Sequence, residues 1–233
     1  MANINIGTLI YSLLGGVAPA LVWLLFWLRE DRKNPEPERL ILKTFTYGML
    51  AVVLVLPFQK GIEMWIPGMT IMTVFLWAAF EEVFKFTAGY FGGLHTVEDN
   101  EPMDSMIYMI TAALGFVALE NTLFIFGPLL GNNILESVIT GNLRFIGASL
   151  LHVVASGMVG FALSLSFYQA RSKRLLTVGL ALVGAILFHL LFNLLIITKG
   201  EQGTTLSFLL VWLGCMILLL GFEKSKTIVR DIV

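Results

Sequence analysis

The sequence predicts an all-α membrane protein, a polytopic bundle of about seven transmembrane helices. Of its 233 residues 57% are hydrophobic and 13% are charged, and the mean hydropathy is +0.85. A water-soluble domain of this length could not expose so much apolar surface without aggregating. The apolar residues also fall into about seven stretches, each close to the roughly 20 residues that a helix needs to cross the hydrocarbon core.

The predicted spans follow one another closely, so we expect one integral-membrane domain over residues 1–233, with its motifs between about 31 and 198. The spans cover about residues 7–28, 41–58, 66–92, 106–130, 145–168, 175–198 and 206–222. Ala18-Pro19-Ala20 has the small residues of a signal-peptidase site. However, residues 1–6 carry no positive charge and the apolar run continues to Leu28, so we expect a retained first helix.

The basic residues predict the orientation, because Lys and Arg in short loops favour the cytoplasmic side. Most of them lie in the loop after the first span, the loop after the fifth span and the tail. These are Arg29, Arg32, Lys33, Arg39, Lys43, Arg171, Lys173, Arg174, Lys224, Lys226 and Arg230. We therefore expect the N-terminus outside and the C-terminus in the cytoplasm.

The charge balance and the cysteine content exclude several functions. The formal net charge of -1 leaves no basic surplus, so nothing indicates nucleic-acid binding. A single cysteine, Cys215, excludes an internal disulfide and a zinc site built from several thiolates of one chain. A metal ion would need His and carboxylate ligands.

A few ionisable residues remain inside the predicted spans, where a charge at the helix centre costs about 2.5–3.5 kcal/mol on insertion. In the third span, Glu81 and Glu82 precede Lys85 by four and three residues, so both carboxylates can reach the ammonium group. One lysine neutralises one carboxylate, and the other could serve as a general base. The alternative is a buried ion pair that only fixes helix packing.

Three later spans add further polar residues at a similar depth. These are Glu120 and Asn121, then Arg144, His152 and Ser156, then His189 and Asn193. Each residue alone would more often have a packing role. Counted at 1.5 Å per residue, however, Glu120 and both histidines lie slightly on the outer side of the bilayer midplane. Glu81 and Glu82 lie within one or two helical turns of that depth. Four spans that place polar groups at one level favour a shared site.

The residue types narrow the chemistry of that site. Neither HExxH nor GxGD occurs in the sequence, and Ser156 has its nearest histidine on its own helix, a poor geometry for a general base. Carboxylates, histidines and an asparagine can activate water in two ways. A glutamate and a histidine can act directly, or a divalent metal such as zinc can be held by residues among His152, His189, Glu120 and Glu82.

Taken together, the motifs resemble the PrsW family of intramembrane proteases, a relative of the CAAX prenyl-protein endopeptidases and bacteriocin-immunity homologues. The motifs are EExxK from Glu81, FxxxEN from Phe116, HxxxS from His152 and HxxxN from His189. The loop DRKNPEPERL from Asp31 and the segment DSMIY from Asp104 also resemble this family. The CAAX relatives have a histidine where this chain has Glu120, so His152 becomes the candidate for that histidine's role.

The resemblance implies a multi-pass protease of the bacterial cell membrane that cuts a membrane-anchored protein, such as an anti-sigma factor, near its extracytoplasmic side. From the shared depth of the polar groups we expect five catalytic residues, Glu81, Glu82, His152, His189 and Asn193, supported by Lys85, Glu120, Asn121, Ser156 and Arg144. By analogy with the CAAX group we favour Glu81 as the base. Family members are described both as glutamic proteases and as metalloproteases, so zinc remains an open alternative.

Two other functions remain open. A proton- or cation-coupled transporter would also place buried Glu, Lys and His at mid-depth, although the sequence shows no inverted repeat. A family member that binds membrane proteins without cutting them would keep the same fold.

Overall fold

The computed structural model describes residues 6–31, 34–131 and 133–229, which form helices joined by short connections. The helices are α1 Ile6–Glu30, α2 Glu38–Trp65, α3 Ile71–Gly89, α4 Pro102–Leu130, α5 Ile134–Leu143, α6 Ser149–Leu165 and α7 Arg171–Ser225. Two π-helical segments, Tyr90–Leu94 and Arg144–Ala148, extend α3 and join α5 to α6. Among the described residues, five helices are long and apolar enough to cross a membrane. The predicted all-α membrane bundle is confirmed.

Helix α7 has 55 residues but does not run straight. Gly200 has a non-helical backbone, with φ 55° and ψ -128°. The Ser207 hydroxyl donates a hydrogen bond to the carbonyl oxygen of Phe192 at 3.2 Å. In a straight helix these residues would lie about 22 Å apart, so the chain reverses at Gly200 and residues 171–199 and 201–225 pack against each other. The two halves correspond to the predicted spans 175–198 and 206–222.

The helix that contains the fifth predicted span begins earlier than we expected. That span begins at Phe145, whereas the continuous apolar helix covers Ile134–Leu165. The Asn133 side chain accepts a hydrogen bond from the backbone N–H of Glu136 at 3.1 Å and so caps this helix. If α3 and both halves of α7 also cross the bilayer, the chain crosses seven times. This number stays a prediction.

Helix α4 lies at the centre of the bundle. All residues from Pro102 to Ala118 are buried, and the helix packs against α1, α2 and α6. A helix that is apolar on every side is typical of a protein core. A Cβ atom at Gly115 would overlap the carbonyl oxygen of Phe45 in α2, so glycine lets the two backbones touch.

The loops define two ends of the bundle. At one end, the contacts are Asn34 with Glu101, Arg174 with Asp99 at 3.5 Å, and Lys226 with Glu30 at 3.3 Å. We call this the acidic end, after the carboxylates of residues 30–36 and 98–104. The loop at 66–70 and the reversal at Gly200 lie at the opposite end. Arg32, Lys33 and Arg230, which we used to predict the orientation, lie outside the described residues.

Candidate active site

Four of the predicted polar residues, which come from three spans, are in direct contact. The Lys85 ammonium lies 2.5 Å from Glu82 Oε1 on the same helix and 2.7 Å from His152 Nδ1 on α6. His189 on α7 places its Nδ1 2.7 Å from the same Glu82 oxygen. All four side chains are buried. The folded chain therefore brings α3, α6 and α7 together around one ionic cluster.

The lysine determines the direction of the hydrogen bonds. An ammonium group can only donate, so His152 Nδ1 is the acceptor and its Nε2 carries the hydrogen. That N–H points to Glu120 Oε2 at 3.2 Å. Glu82 is a carboxylate that accepts from Lys85 and from the Nδ1–H of His189. In the neutral form of His189, Nε2 then has a lone pair.

Glu81 has different partners from its neighbour Glu82. Gln59 of α2 donates to Glu81 Oε1 at 2.8 Å. The other oxygen, Oε2, is buried 3.7 Å from His189 Nε2 and has no hydrogen-bond partner among the described residues. A water molecule between them would donate to both, but Oε2 is closed to solvent in this structure, so the side chains must move apart to admit it. Glu81 is therefore the carboxylate of the pair that can reach a water.

The FxxxEN motif holds an arginine. Arg144 lies in the π-helical segment between α5 and α6, and its guanidinium pairs with Glu120. Its Nε donates to Asn121 Oδ1 at 2.6 Å, and the Asn121 amide donates to Ser149 Oγ at 3.2 Å. Glu120 thus accepts from both Arg144 and His152, which ties the motif on α4 to the histidine on α6.

A mostly apolar cavity of about 660 Å³ lies against this cluster. Its walls come from α2 to α7, and it extends to Met69 and Thr204, near the end of the bundle opposite the acidic end. The polar side chains in its wall include Gln59, Glu81, Glu120, Arg144, His152, His189 and Asn193. Glu82 and Lys85 are not among the lining residues. They contact the two histidines that line the cavity, His189 and His152.

Asn193 and Ser156 are placed differently. Asn193 is half-buried, lines the cavity and follows His189 by one helical turn. The Ser156 hydroxyl is buried without a hydrogen-bond partner among the described residues, and Ser156 does not belong to the cavity wall. The amide of Asn193 can face a substrate, whereas the arrangement lends no support to Ser156 as a nucleophile.

The residues fit a metal ion in type and in spacing. Glu81, His152 and His189 each offer a ligand atom, and these atoms lie within 4.8 Å of one another. Two histidines and a glutamate are a known ligand set for catalytic zinc, and Glu82 on His189 Nδ1 is the kind of partner that orients such a ligand. From the sequence we expected Glu82 or Glu120 as the carboxylate ligand, whereas the folded chain places Glu81 next to both histidines. However, both nitrogens of His152 are engaged, so binding requires it to exchange Lys85 or Glu120 for the ion.

Comparison with known proteins identifies the family of this chain. A family model described as "PrsW family intramembrane metalloprotease" matches residues 36–221. This chain belongs to the PrsW family. The predicted family is therefore confirmed, and with it a multi-pass protein of the bacterial cell membrane.

Curated relatives named Protease PrsW match most of the chain. The relative from Halalkalibacterium halodurans is 25% identical over 226 residues, 93% of this chain and 96% of its own length. The relative from Geobacillus kaustophilus is 28% identical over 190 residues, 81% of this chain and 80% of its own. The relative from Oceanobacillus iheyensis is 29% identical over 193 residues, which cover 82% of this chain and 84% of its own length. No solved structure matches the chain.

Sequence reasoning missed Gln59 in this PrsW site. The residue lies one position beyond the predicted second span, which ends at residue 58, so nothing in the sequence placed it in the site. Helix α2 continues to Trp65, so Gln59 is inside a helix and faces Glu81. A longer estimate of α2 would have placed an unexplained amide at the depth of the site.

Proposed function

We propose that this PrsW family member hydrolyses a peptide bond of a membrane-anchored protein, with Glu81 as the general base. The observation that supports this most is the unpartnered Glu81 Oε2, buried opposite His189 Nε2 in the wall of an apolar cavity. A carboxylate in such a place can accept a proton from water. The apolar walls suit a substrate segment that comes from the bilayer.

In this mechanism a water donates one hydrogen bond to Glu81 Oε2 and the other to His189 Nε2. As the water oxygen attacks the scissile carbonyl, its proton passes to Glu81. The Asn193 amide donates to the oxyanion that develops on the carbonyl oxygen. Glu81 then gives the proton to the leaving amine, and the C–N bond breaks.

The remaining polar residues position these groups. Glu82, held ionised by Lys85, accepts the Nδ1–H of His189 and so keeps Nε2 free to accept from the water. His152 binds the other side of Lys85 and connects it to Glu120 and Arg144. Such buried networks fix one orientation for every member when all partners are present. They act through the catalytic groups rather than on the substrate.

The zinc alternative uses overlapping residues. An ion held by Glu81, His152 and His189 would activate a bound water and polarise the scissile carbonyl. We favour direct activation because His152 contacts both Lys85 and Glu120, so that it must give up one of these contacts before it can hold an ion. Activity after metal removal verified by elemental analysis separates the two. We expect cleavage to continue, and complete loss restored by zinc would overturn direct activation.

The protease proposal is tested with protein reconstituted in liposomes together with a membrane-anchored substrate. We expect Glu81→Gln and His189→Ala each to lower the cleavage rate about 100-fold or more, as is usual when acid–base groups are removed. Glu63→Gln, at an exposed position near the end of α2, is the matched control and should cleave normally. Normal cleavage by both site variants would overturn the proposal.

The same liposomes test the two other functions. Proton or cation flux that depends on Glu81, without cleavage, would favour a transporter. Stable capture of membrane proteins by the wild type, again without cleavage, would favour a binding protein that has lost its chemistry. We expect cleavage and no flux.

A further inference from the structure

A second group of carboxylates lies at the acidic end, away from the active site. Asp31 follows α1, Glu36 precedes α2, and Asp104 lies in the first turn of α4. One oxygen from each lies within 4.8 Å of the others. Two oxygens on opposite sides of a Ca²⁺ at about 2.4 Å would be about 4.8 Å apart, so the three can contact one ion.

Asp31 points into this group without a partner. Its side chain is 1% exposed, and within the described residues neither carboxylate oxygen has a hydrogen-bond partner. A buried carboxylate with no donor is costly unless a positive charge faces it. Both oxygens of Asp31 are therefore available to a cation.

The other two carboxylates are already oriented toward the same point. The Tyr108 hydroxyl donates to Glu36 Oε2. Asp104 Oδ2 accepts the backbone N–H groups of Asn100 at 2.9 Å and Glu101 at 2.7 Å. Hydrogen-bonded carboxylates of this kind are typical of metal sites, where the outer partners fix the ligands.

Two basic side chains at this end already pair with carboxylates outside the group. Lys226 pairs with Glu30 and with Glu223, the latter at 2.5 Å, and Arg174 pairs with Asp99. Arg32 and Lys33 lie outside the described residues.

A cavity of about 340 Å³ borders the group. Asp31, Glu36 and Glu38 line it together with apolar residues of α1 and α2. All protein ligands are oxygens, which hard cations such as Mg²⁺ and Ca²⁺ prefer over zinc or copper. Water and backbone carbonyls usually complete such a shell.

We propose that Asp31, Glu36 and Asp104 bind one hard divalent cation, Mg²⁺ or Ca²⁺, which ties the end of α1 and the segment before α2 to the start of α4. Because α4 is the central helix and carries Glu120, the ion fixes one end of the helix on which the active site depends. The role is structural, and the site is separate from Glu81 and the histidines.

Terbium(III) provides a direct test, because it replaces Ca²⁺ at oxygen sites and emits when a nearby aromatic ring is excited. Tyr108, whose hydroxyl donates a hydrogen bond to Glu36, has such a ring. For the purified full-length protein in detergent we expect saturable emission from one Tb³⁺ per chain. Excess Ca²⁺ or Mg²⁺ should abolish it, and the ion effective at the lower concentration identifies the natural ligand.

Variants assign that emission to the site. Asp31→Asn and Asp104→Asn should each raise the Tb³⁺ concentration for half-saturation at least tenfold. Glu98→Gln, with the same charge change in the same region but no described side-chain partner, is the matched control and should titrate as the wild type does. Glu81→Gln should also keep the signal, which distinguishes this site from a metal at the active centre.

Thermal unfolding gives a second readout. The preferred ion should raise the melting temperature of the wild type by several degrees and leave that of Asp31→Asn unchanged. The proposal is overturned if Asp31→Asn and Asp104→Asn bind Tb³⁺ as tightly as the wild type. It is equally overturned if no saturable binding occurs, or if Glu81→Gln abolishes the signal.

Discussion

Glu81 and Glu82 have the same side chain but opposite electrostatic surroundings. Glu82 accepts hydrogen bonds from Lys85 and His189, whereas Glu81 accepts one from the neutral amide of Gln59. Replacing each glutamate by glutamine changes shape very little. The two replacements therefore separate the role of a buried counter-ion from the role of a base.

We expect Glu82→Gln to lower stability and Glu81→Gln to leave it unchanged or raise it. The first change leaves the Lys85 ammonium buried without its carboxylate, which typically costs about 3–5 kcal/mol. The second removes a buried charge whose described hydrogen-bond donor is the neutral amide of Gln59. Melting temperatures in detergent measure both effects, and equal melting temperatures for the two variants would contradict the assigned pairing.

A double variant controls for the loss of the carboxylate itself. Lys85→Met combined with Glu82→Gln removes both charges of the pair, and replacing a buried ion pair by neutral groups is often close to neutral in stability. The double variant should therefore melt above Glu82→Gln alone. It should remain inactive, since His189 has lost the carboxylate that orients it.

Gln59→Leu tests a positioning role that only the folded structure indicates. The leucine keeps the volume but gives no hydrogen bond to Glu81 Oε1, so the carboxylate is no longer fixed toward His189. A hydrogen bond to a charged group contributes about 1.5–3 kcal/mol, which predicts a fall in kcat of about tenfold to a hundredfold with KM little changed. Lys60→Gln, exposed next to it, should have normal kinetics. A change in KM alone would instead indicate a substrate contact.

Residue spacing could predict part of this site. Glu82 reaches Lys85 because helical residues three apart are neighbours, and counting depth placed both histidines and Glu120 at one level. Spacing within one helix says nothing about its rotation toward another helix. For that reason the pairing of Lys85 with His152, of Glu82 with His189 and of Gln59 with Glu81 required the packed structure.

At the scale of helices, hydropathy found the apolar segments but not every boundary. The predicted spans 106–130 and 145–168 leave Asn133 and Arg144 between them, whereas Asn133 caps a helix that continues through Arg144. The π-helical segment there inserts an extra residue into the turn, a feature common at functional sites. Periodicity alone does not reveal such an insertion, so the position of Arg144 over Glu120 could not be predicted.

Gly115→Ala tests the close packing of α4 on α2. Its methyl group would overlap the carbonyl oxygen of Phe45, and overpacking of this kind costs about 1–3 kcal/mol. Gly61→Ala in α2 is the matched control, since nothing lies within 4 Å of the added atom. It should be neutral or stabilising by up to about 1 kcal/mol, because alanine favours a helix more than glycine does. Equal melting temperatures for the two variants would contradict backbone contact between these helices.

At the scale of the whole molecule, the two proposed sites lie toward opposite ends. The cavity beside Glu81 extends toward the reversal at Gly200, and the carboxylates of Asp31 and Asp104 lie at the acidic end. The distribution of basic residues predicts that the acidic end faces the cytoplasm. The cavity would then open near the extracytoplasmic face, and the cation site would face a compartment rich in Mg²⁺.

Cysteine labelling can test this orientation, because the chain contains a single native cysteine, Cys215, and it is buried. In a Cys215→Ala background, one cysteine is introduced at Glu201, exposed beside the reversal, or at Val97, which is 89% exposed at the acidic end. A membrane-impermeant maleimide should label Glu201→Cys in intact cells, or in spheroplasts where an outer membrane is present, and Val97→Cys only after permeabilisation. The reverse pattern would invert the orientation and place the cavity on the cytoplasmic side. Labelling of both before permeabilisation would contradict the seven crossings, since seven crossings put these positions on opposite faces.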